Sequence, residues 1–389
     1  MGMKQTVLSK LNAIFPKKNQ ILFSSFPDGS DNAIALYEYI LRERKDIVNN
    51  YNLIWSSNEL PSEELKEYLI CRTGSQNHKV VKKASILGLF AYFTSKYIVS
   101  THGYFNGVKT AKNQIHINLW HGMPFKRIGY MLRGENYSGI NDEADITIAT
   151  SELFQNIMAE SFGIEKDHVL ITGLPRNDYL SASKPIFKNL GIDNYKKVIC
   201  WMPTYRKSVV GDVRMDGNTN SFGVTDLIEK HFDELNKILR ELGFLLIIKP
   251  HPMDELCSHK LPQSNNIWVV HNEFLHEKHI ELYELLAGCD LLITDYSSVF
   301  IDFFETGKPM AFVISDLMDY QRSRGFCFDN PLDYIPGEII SNYEEFIAYI
   351  QNIDSYADKW KIKYEQIRKE FNPMVGGKAC ERICEAFWS

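Results

Sequence analysis

Short apolar runs recur along the chain, and most end in glycine or small polar residues before a stretch of helical periodicity. ILFSSF at 21–26 predicts a first strand, PDGSDN a turn and AIALYEYILRER a helix. YNLIWSS at 51–57 predicts a second strand, and LPSEELKEYL a short helix with Ser62 placed to cap it. KYIVSTHGYF at 96–105, IHINLWHG at 115–122, ADITIATS at 144–151 and HVLITGLPRNDYL at 168–180 each run from strand into turn, with ELFQNIMAESFG a helix before the last. A stretch rich in turn formers, SASKPIFKNLGIDNY, follows at 181–195. The pattern then restarts. KKVICWMPTYR at 196–206, FLLIIKPHP at 244–252, NNIWVV, DLLITDYSS and PMAFVI predict strands, and LIEKHFDELNKILRELG, HIELYELLAGC and VFIDFFETG predict helices. Residues 207–222, rich in Gly, Asn and Asp, predict a long loop, and 342–388 predict helices.

Strands that alternate with helices in this way argue for mostly parallel sheets covered on both faces. The expected fold class is α/β: two doubly wound domains facing across a cleft, with C-terminal helices. The boundary falls in 182–195, giving domains of residues 1–185 and 186–389, with the last helices of the second packing back on the first. A chain of 389 residues suits two domains. Ligands of such sheets bind beyond the carboxyl ends of the strands, so the polar residues at strand exits are the place to look for chemistry.

Several exits stand out. In TDYSSVFIDFFETGKPMAF at 294–312, Thr294 closes a buried strand, and Asp295, Ser297 and Ser298 fall where strand gives way to helix. Backbone N–H groups at a helix start favour an anion, and two hydroxyls add uncharged donors, so this is either a phosphate site or a helix cap. Glu305, near the far end of that helix, either reaches a ribose hydroxyl or is solvated. In KPHP at 249–252, Lys249 and His251 set a cation and a titratable group on a stiffened strand tip, which suits phosphate binding or acid–base chemistry. In WHGMPFKRIG at 120–129, His121 follows an apolar strand, Pro124 restricts the exit, and Lys126 and Arg127 supply charge. A general base has to be held this way. STHG adds His102, either an acceptor contact or a satisfied turn residue. PTYR at 203–206 offers Thr204 and Arg206, the latter able to bridge two phosphate oxygens. Arg176 and Asp178 of GLPRND are expected to pin the linker.

Composition narrows the classes. The formal net charge is −6, yet residues 68–134 hold ten Lys or Arg and no Asp or Glu, and the first twenty residues carry Lys4, Lys10, Lys17 and Lys18 with no acid. Such asymmetry attracts an anionic partner to one part of the molecule. Nucleic acid is not that partner, because no recognition module accompanies the basic residues. Seven cysteines at irregular spacing, with no CxxC, fit a reducing compartment and argue against a zinc site. GxGxxG near the first strand, GxxxxGK[ST], DxD, HExxH and GxSxG are all absent. No metal site or resident cofactor is expected, and magnesium is left open.

Taken in order, WHGMPFKRIG, GLPRND, PTYR, KPHP and TDYSSVFIDFFETGKPMAF resemble the CDP-glycerol glycerophosphotransferase family, which builds teichoic acids and related cell-wall polymers. The resemblance spans roughly residues 95–330 and implies a GT-B-like fold of two Rossmann-like domains facing across a cleft, with residues 1–185 the acceptor-side domain and 186–389 the donor-binding domain. It implies transfer of glycerol phosphate from CDP-glycerol, or a related CDP-alditol, to a hydroxyl of a membrane-linked saccharide or growing polymer, with CMP released. It also implies His121 as catalytic base, His251 with Ser297 and Ser298 at the diphosphate, and Arg206 as a helper. Lys126, Lys249, Thr294, Asp295 and Glu305 complete the expected substrate contacts. The acceptor implies a peripheral protein at the cytoplasmic face of the membrane. Lys4, Lys10, Lys17 and Lys18, and VKKASILGLFAYFTSKYI at 81–98, are then expected to meet anionic headgroups, although 86–93 also fits an internal helix. Alternatives are a CDP-ribitol-dependent ribitolphosphotransferase, a GT-B glycosyltransferase using a sugar nucleotide, and a non-catalytic polyanion- or membrane-binding protein.

Overall fold

The computed structural model describes residues 3–132, 144–182, 186–192, 194–203, 224–250, 261–323 and 325–388. The chain divides into two compact units. The first comprises Met1–Met123, Gly129–Ser181 and Met374–Ser389; the second comprises Pro124–Ile128 and Ala182–Pro373.

The first unit is built on a parallel sheet of seven strands: β1 (Lys18–Ser24), β2 (Asn52–Ser57), β3 (Lys79–Lys82), β4 (Ser95–Ser100), β5 (Ile115–Asn118), β6 (Ile146–Ala149) and β7 (Val169–Ile171), in the order β3-β2-β1-β4-β5-β6-β7. The second carries a parallel sheet of six: β8 (Lys197–Trp201), β9 (Phe244–Ile248), β10 (Ile267–Val269), β11 (Leu291–Thr294), β12 (Met310–Val313) and β13 (Glu338–Ile340), in the order β10-β9-β8-β11-β12-β13. Both orders reverse direction once, between β1 and β4 and between β8 and β11. In doubly wound sheets, the crevice beyond such a reversal is where ligands sit.

The central strands are buried along most of their length: all of FLLII in β9, LLIT in β11 and MAFV in β12. That follows from helices covering both faces, so no polar side of the strand is left to alternate. In the second unit Trp201, Leu246, Ile248, Ile293 and Phe346 share one core; in the first, Leu22, Ile54, Tyr92 and Ile98 do. Two strands, β3 (KVVK) and β13 (EII), were not anticipated. Both are edge strands with charged or half-exposed residues, the usual way an exposed edge is blunted. Ser62 is the first residue of the Ser62–Thr73 helix, not its cap. Pro61 takes the cap position, and its fixed φ suits a helix entry. The loop expected at 207–222 lies outside the described residues.

Residues 124–128 form an inserted piece of the second unit. Phe125 packs edge-on against Phe300, with ring centroids 5.1 Å apart, and touches Phe326 and Phe328. Lys126 forms an antiparallel bridge with Phe326, and the Arg127 N–H and Nε donate to the carbonyls of Gly325 and Phe326 at 3.2 and 2.9 Å. Phe125 is 1% exposed, so removing its ring leaves a cavity. Phe125→Ala is expected to cost about 3–5 kcal/mol, read as a lower urea midpoint. An unchanged midpoint would contradict the packing.

Candidate active site

In the first unit, the functional groups gather at the exits of β4 and β5, next to the sheet reversal. After β5 the chain makes an unusual turn. Trp120 has φ 51° and Gly122 φ 128°. The second value is open to glycine, but a left-handed tryptophan has to be held in place by its surroundings. The Asn118 side chain accepts the Trp120 N–H at 2.8 Å. Asn32, fully buried, donates its amide to the carbonyls of Leu119 and Trp120 at 3.2 and 2.9 Å, and its side-chain oxygen accepts the Arg176 N–H at 3.0 Å. Arg176 in turn pairs with Asp31 at 2.8 Å, both side chains largely buried. The indole edge meets Phe162.

This frame sets His121. Its ring lies parallel to that of His102, centroids 4.1 Å apart and planes 7° apart, and against Trp120 at 4.0 Å. Nδ1 lies 3.3 Å from the Thr101 carbonyl oxygen. A carbonyl only accepts, so Nδ1 carries the hydrogen and the neutral ring presents an unprotonated Nε2. Burial pushes the His121 pKa down to about 3; the neighbouring His102 adds to this, Asp31 and the Thr101 carbonyl oppose it, and Arg176 contributes slightly in the same downward sense. His102 is more open. Its Nδ1 lies 2.9 Å from the Thr101 hydroxyl and its edge meets Phe26. Part of the ring is exposed, but enough protein surrounds it that desolvation lowers its pKa too. The result is a stacked pair of uncharged imidazoles. His121 is chemically able to take a proton from a hydroxyl, because its lone pair is free at any ordinary pH.

In the second unit, the exits of β8, β9 and β11 lie side by side. The Met202 N–H donates to the Ile293 carbonyl and the Lys249 N–H to the Trp201 carbonyl. The Thr294 hydroxyl is committed to the Met202 carbonyl at 2.7 Å. Asp295 is buried and its Oδ1 accepts the Ser297 N–H at 3.2 Å. Ser297 and Ser298 are half-buried, and neither hydroxyl has a hydrogen bond among the described residues. They precede the short Val299–Phe303 helix, which continues as a 3₁₀ turn at Phe304–Thr306 and stops at Gly307. Lys249 is 2% exposed, and its Nζ donates to the Pro250 carbonyl at 3.0 Å. Lys126 stands over the Tyr320 ring at 5.3 Å. Glu305 receives a long hydrogen bond from Asn372 at 3.5 Å. His251, Thr204 and Arg206 lie outside the described residues.

The structure therefore gathers Thr294, Asp295, Ser297, Ser298 and Lys249 at one end of the second sheet, and sets His121 beside His102 at the corresponding end of the first. The expectation for Arg176 and Asp178 needs correcting. Arg176 reaches the Trp120 turn through Asn32, which accepts its backbone N–H, and its guanidinium pairs with Asp31, while Asp178 accepts the N–H groups of Ala379 and Cys380 at the start of the last helix. Asp31, Asn32 and Thr101 escaped notice in the sequence, because they act through contacts with residues far along the chain. Among the described residues, no group of three or more His, Cys, Asp or Glu side chains is arranged to hold a metal ion.

Comparison with known proteins gives this geometry its context. The family model described as CDP-Glycerol:Poly(glycerophosphate) glycerophosphotransferase matches residues 7–389. The chain belongs to that family. Its reaction class is the transfer of a glycerol-phosphate unit from a CDP-alditol donor to a polymer, and it is a CDP-glycerol-dependent glycerophosphotransferase by membership. A teichoic acid glycerol-phosphate transferase of Staphylococcus aureus is 27% identical over 97% of this chain and 95% of its own length. A teichoic acid glycerol-phosphate primase of Bacillus subtilis is 30% identical over 71% of each chain. The chain spans only about half the length of some polymerases it matches, 54% and 48% for two Bacillus proteins. The solved structure of the wall teichoic acid polymerase TagF superposes with a TM-score of 0.74 at 23% identity, over 98% of this chain and 92% of that one, and shares the GT-B-like fold of two Rossmann-like lobes with C-terminal helices.

The depressed His121 pKa has a measurable consequence for this glycerophosphotransferase. The unfolded ring titrates near 6.5 and the folded one near 3. Between those values the unfolded state binds more protons, so this contribution is fully present above pH 6.5 and is lost as pH falls toward 3. In a histidine-labelled NMR titration, the His121 ring is expected to stay neutral from pH 8 to pH 5. A midpoint near 6.5 would contradict the buried, stacked geometry.

Proposed function

We propose that the protein transfers glycerol phosphate from CDP-glycerol to a terminal hydroxyl of a membrane-linked saccharide or growing teichoic-acid-like polymer. His121 is the general base. The acceptor oxygen attacks the β-phosphorus of the donor, the bond from that phosphorus to the bridging oxygen breaks, and CMP leaves with the electron pair. The acceptor proton passes to Nε2 of His121. The observation that carries this is the His121 ring itself, held neutral with Nε2 unprotonated, in a chain whose family performs glycerol-phosphate transfer.

Donor binding falls to the second unit. Ser297 and Ser298 supply the unpartnered hydroxyls, and the backbone entering their helix supplies N–H groups for the diphosphate. Lys249 adds positive charge from below the surface, and Lys126 lies on the same unit. Thr294 and Asp295 serve by shaping the turn, since Thr294 holds Met202 and Asp295 holds the Ser297 N–H. Glu305 remains the candidate for a ribose hydroxyl. His251 and Arg206 keep their proposed diphosphate roles on the family resemblance alone.

The acceptor side brings the protein to the membrane surface as a peripheral partner. Among the described residues, no helix is long and apolar enough to cross a membrane. The Met3–Ile14 and Ile86–Thr94 helices pack together and leave Met3, Val7, Leu11, Ile14, Ile86, Leu87 and Phe90 exposed. Lys18 lies over the Phe90 ring at 5.2 Å, so charge borders the apolar surface as it does in interfacial helices. Lys17 is not part of that border. Its ammonium donates to Asn12 and to the Phe93 carbonyl, tying the first helix down, and desolvation lowers its pKa to about 8.

His121→Ala is expected to lower kcat by roughly 100- to 10,000-fold while CDP-glycerol still binds in calorimetry. An equal loss of donor affinity would remove the base from the scheme. Ser297→Ala with Ser298→Ala is expected to weaken CDP-glycerol binding instead, and unchanged affinity would contradict the cradle. Leu87→Asp, at a position 68% exposed, is expected to reduce co-sedimentation with phosphatidylglycerol vesicles and leave the thermal midpoint unchanged. Full sedimentation would rule out this surface as the membrane contact.

A further inference from the structure

Lys83 lies in an unusual position for a lysine. It follows β3 and is half-buried, and its ammonium faces two aromatic rings, Tyr104 at 4.6 Å and Phe105 at 5.9 Å. Its backbone N–H donates to the Ser57 carbonyl at 2.8 Å, but among the described residues its ammonium makes no hydrogen bond and no ion pair. The carboxylate whose charge it feels most is Asp28, but Asp28 is already occupied by the N–H groups of Asn58, Glu59 and Leu60 at 2.8–2.9 Å. Desolvation accordingly lowers the Lys83 pKa. An ammonium taken out of water with only ring faces for company is costly to keep, and an anion would relieve that cost.

The surroundings have room for one. A solvent-open cavity of about 340 Å³ is lined by Lys83 together with Lys4, Gln5, His102, Tyr104 and Phe105, and no carboxylate among the described residues lines it. Two ammonium groups, amide donors and an imidazole thus face one space. One lining residue is His102, whose ring is stacked directly on His121. The pocket leads from the Met3–Ile14 helix, part of the exposed apolar surface, to the neighbour of the proposed base.

We infer that this pocket is an acceptor subsite, which takes a phosphodiester of the polymer being extended, with Lys83 as its anchor and Lys4 as a second cation at the rim. It rests on the proposed reaction for the identity of the polymer, and on geometry alone for its anion. The phosphodiester one unit back from the chain end is gripped at Lys83, and the terminal hydroxyl is thereby directed past His102 toward His121. Lys83 is a positioning and binding residue here and takes no part in proton transfer.

The test uses the full chain with no donor present. Wild type, Lys83→Met and Lys83→Arg are titrated with a soluble glycerol-phosphate trimer, and with triglycerol as its phosphate-free counterpart. Wild type is expected to bind the trimer at least tenfold more tightly than triglycerol. Lys83→Met is expected to lose that preference and Lys83→Arg to keep most of it. Lys4→Gln, on the exposed helix, is expected to weaken trimer binding two- to fivefold, and serves if Lys83→Met does not fold. Equal binding of the two probes by wild type, or a full preference in folded Lys83→Met or, failing that, in Lys4→Gln, overturns the subsite. Phosphatidylglycerol vesicles separate the other source of phosphate. If Lys83→Met loses vesicle binding but still prefers the trimer, the pocket belongs to a lipid headgroup and the acceptor assignment falls. Turnover is read separately. Trimer binding without glycerol-phosphate transfer from CDP-glycerol sinks the reaction and leaves the pocket standing, whereas transfer without trimer preference sinks the pocket alone.

Discussion

The hydrogen bond from His121 Nδ1 to the Thr101 carbonyl is the constraint on which the proposed chemistry depends. It fixes the tautomer, and with it which ring nitrogen is left to accept a proton. A partly buried imidazole without it would be free to rotate or to swap its hydrogen. Burial of His121 and the stacked His102 ring then keep the charge off, so the lone pair is available without competition from solvent protons. A base with so low a resting affinity for protons is a weak one in the ground state. In the proposed reaction it becomes effective as the attacking oxygen bonds to phosphorus, because the hydroxyl grows acidic in step and gives its proton to the ring.

Holding His121 in that pose is the task of a network that spans the first unit. Trp120 sits in a left-handed conformation that its own side chain disfavours. Asn32 offsets this by satisfying two carbonyls of the turn, and Arg176 and Asp31 lock Asn32 from the far side. These groups are buried, so each hydrogen bond left unmade would carry the cost of an unsatisfied polar atom, about 1–3 kcal/mol. The strained turn and the buried polar cluster are thus one arrangement. The same cluster gives the arginine of GLPRND its partner: the guanidinium pairs with Asp31, whose neighbour Asn32 holds a turn that lies more than fifty residues before Arg176 in the chain.

Much of the fold was legible in the sequence because parallel strands covered on both faces are nearly continuous apolar runs. ILFSS, FLLII, LLIT and MAFV carry their own signal, and Gly163 and Gly307 mark helix ends plainly. The edge strands KVVK and EII were hidden because an edge needs charge and brevity, which look like loop. The Met3–Ile14 helix was hidden too. It is held by Lys17 reaching back to Asn12 and Phe93, a tertiary tether that no local periodicity reports. Among candidate residues, those at strand exits were visible: His121, Lys249, Asp295, Ser297 and Ser298. Asp31, Asn32, Thr101 and Lys83 were not recognised as site residues. Each gains its meaning from a partner on another loop, as Lys83 does from Tyr104 and Phe105.

The central claim is that the phosphate moves with the glycerol. CDP-glycerol labelled with ³²P in its β-phosphate, incubated with the protein and a poly(glycerol phosphate) acceptor, tests it directly. The account predicts label in the polymer and unlabelled CMP in solution, in equal amounts. Label recovered as free CDP, with glycerol alone joined to the acceptor, would contradict it, and so would the absence of turnover with this donor.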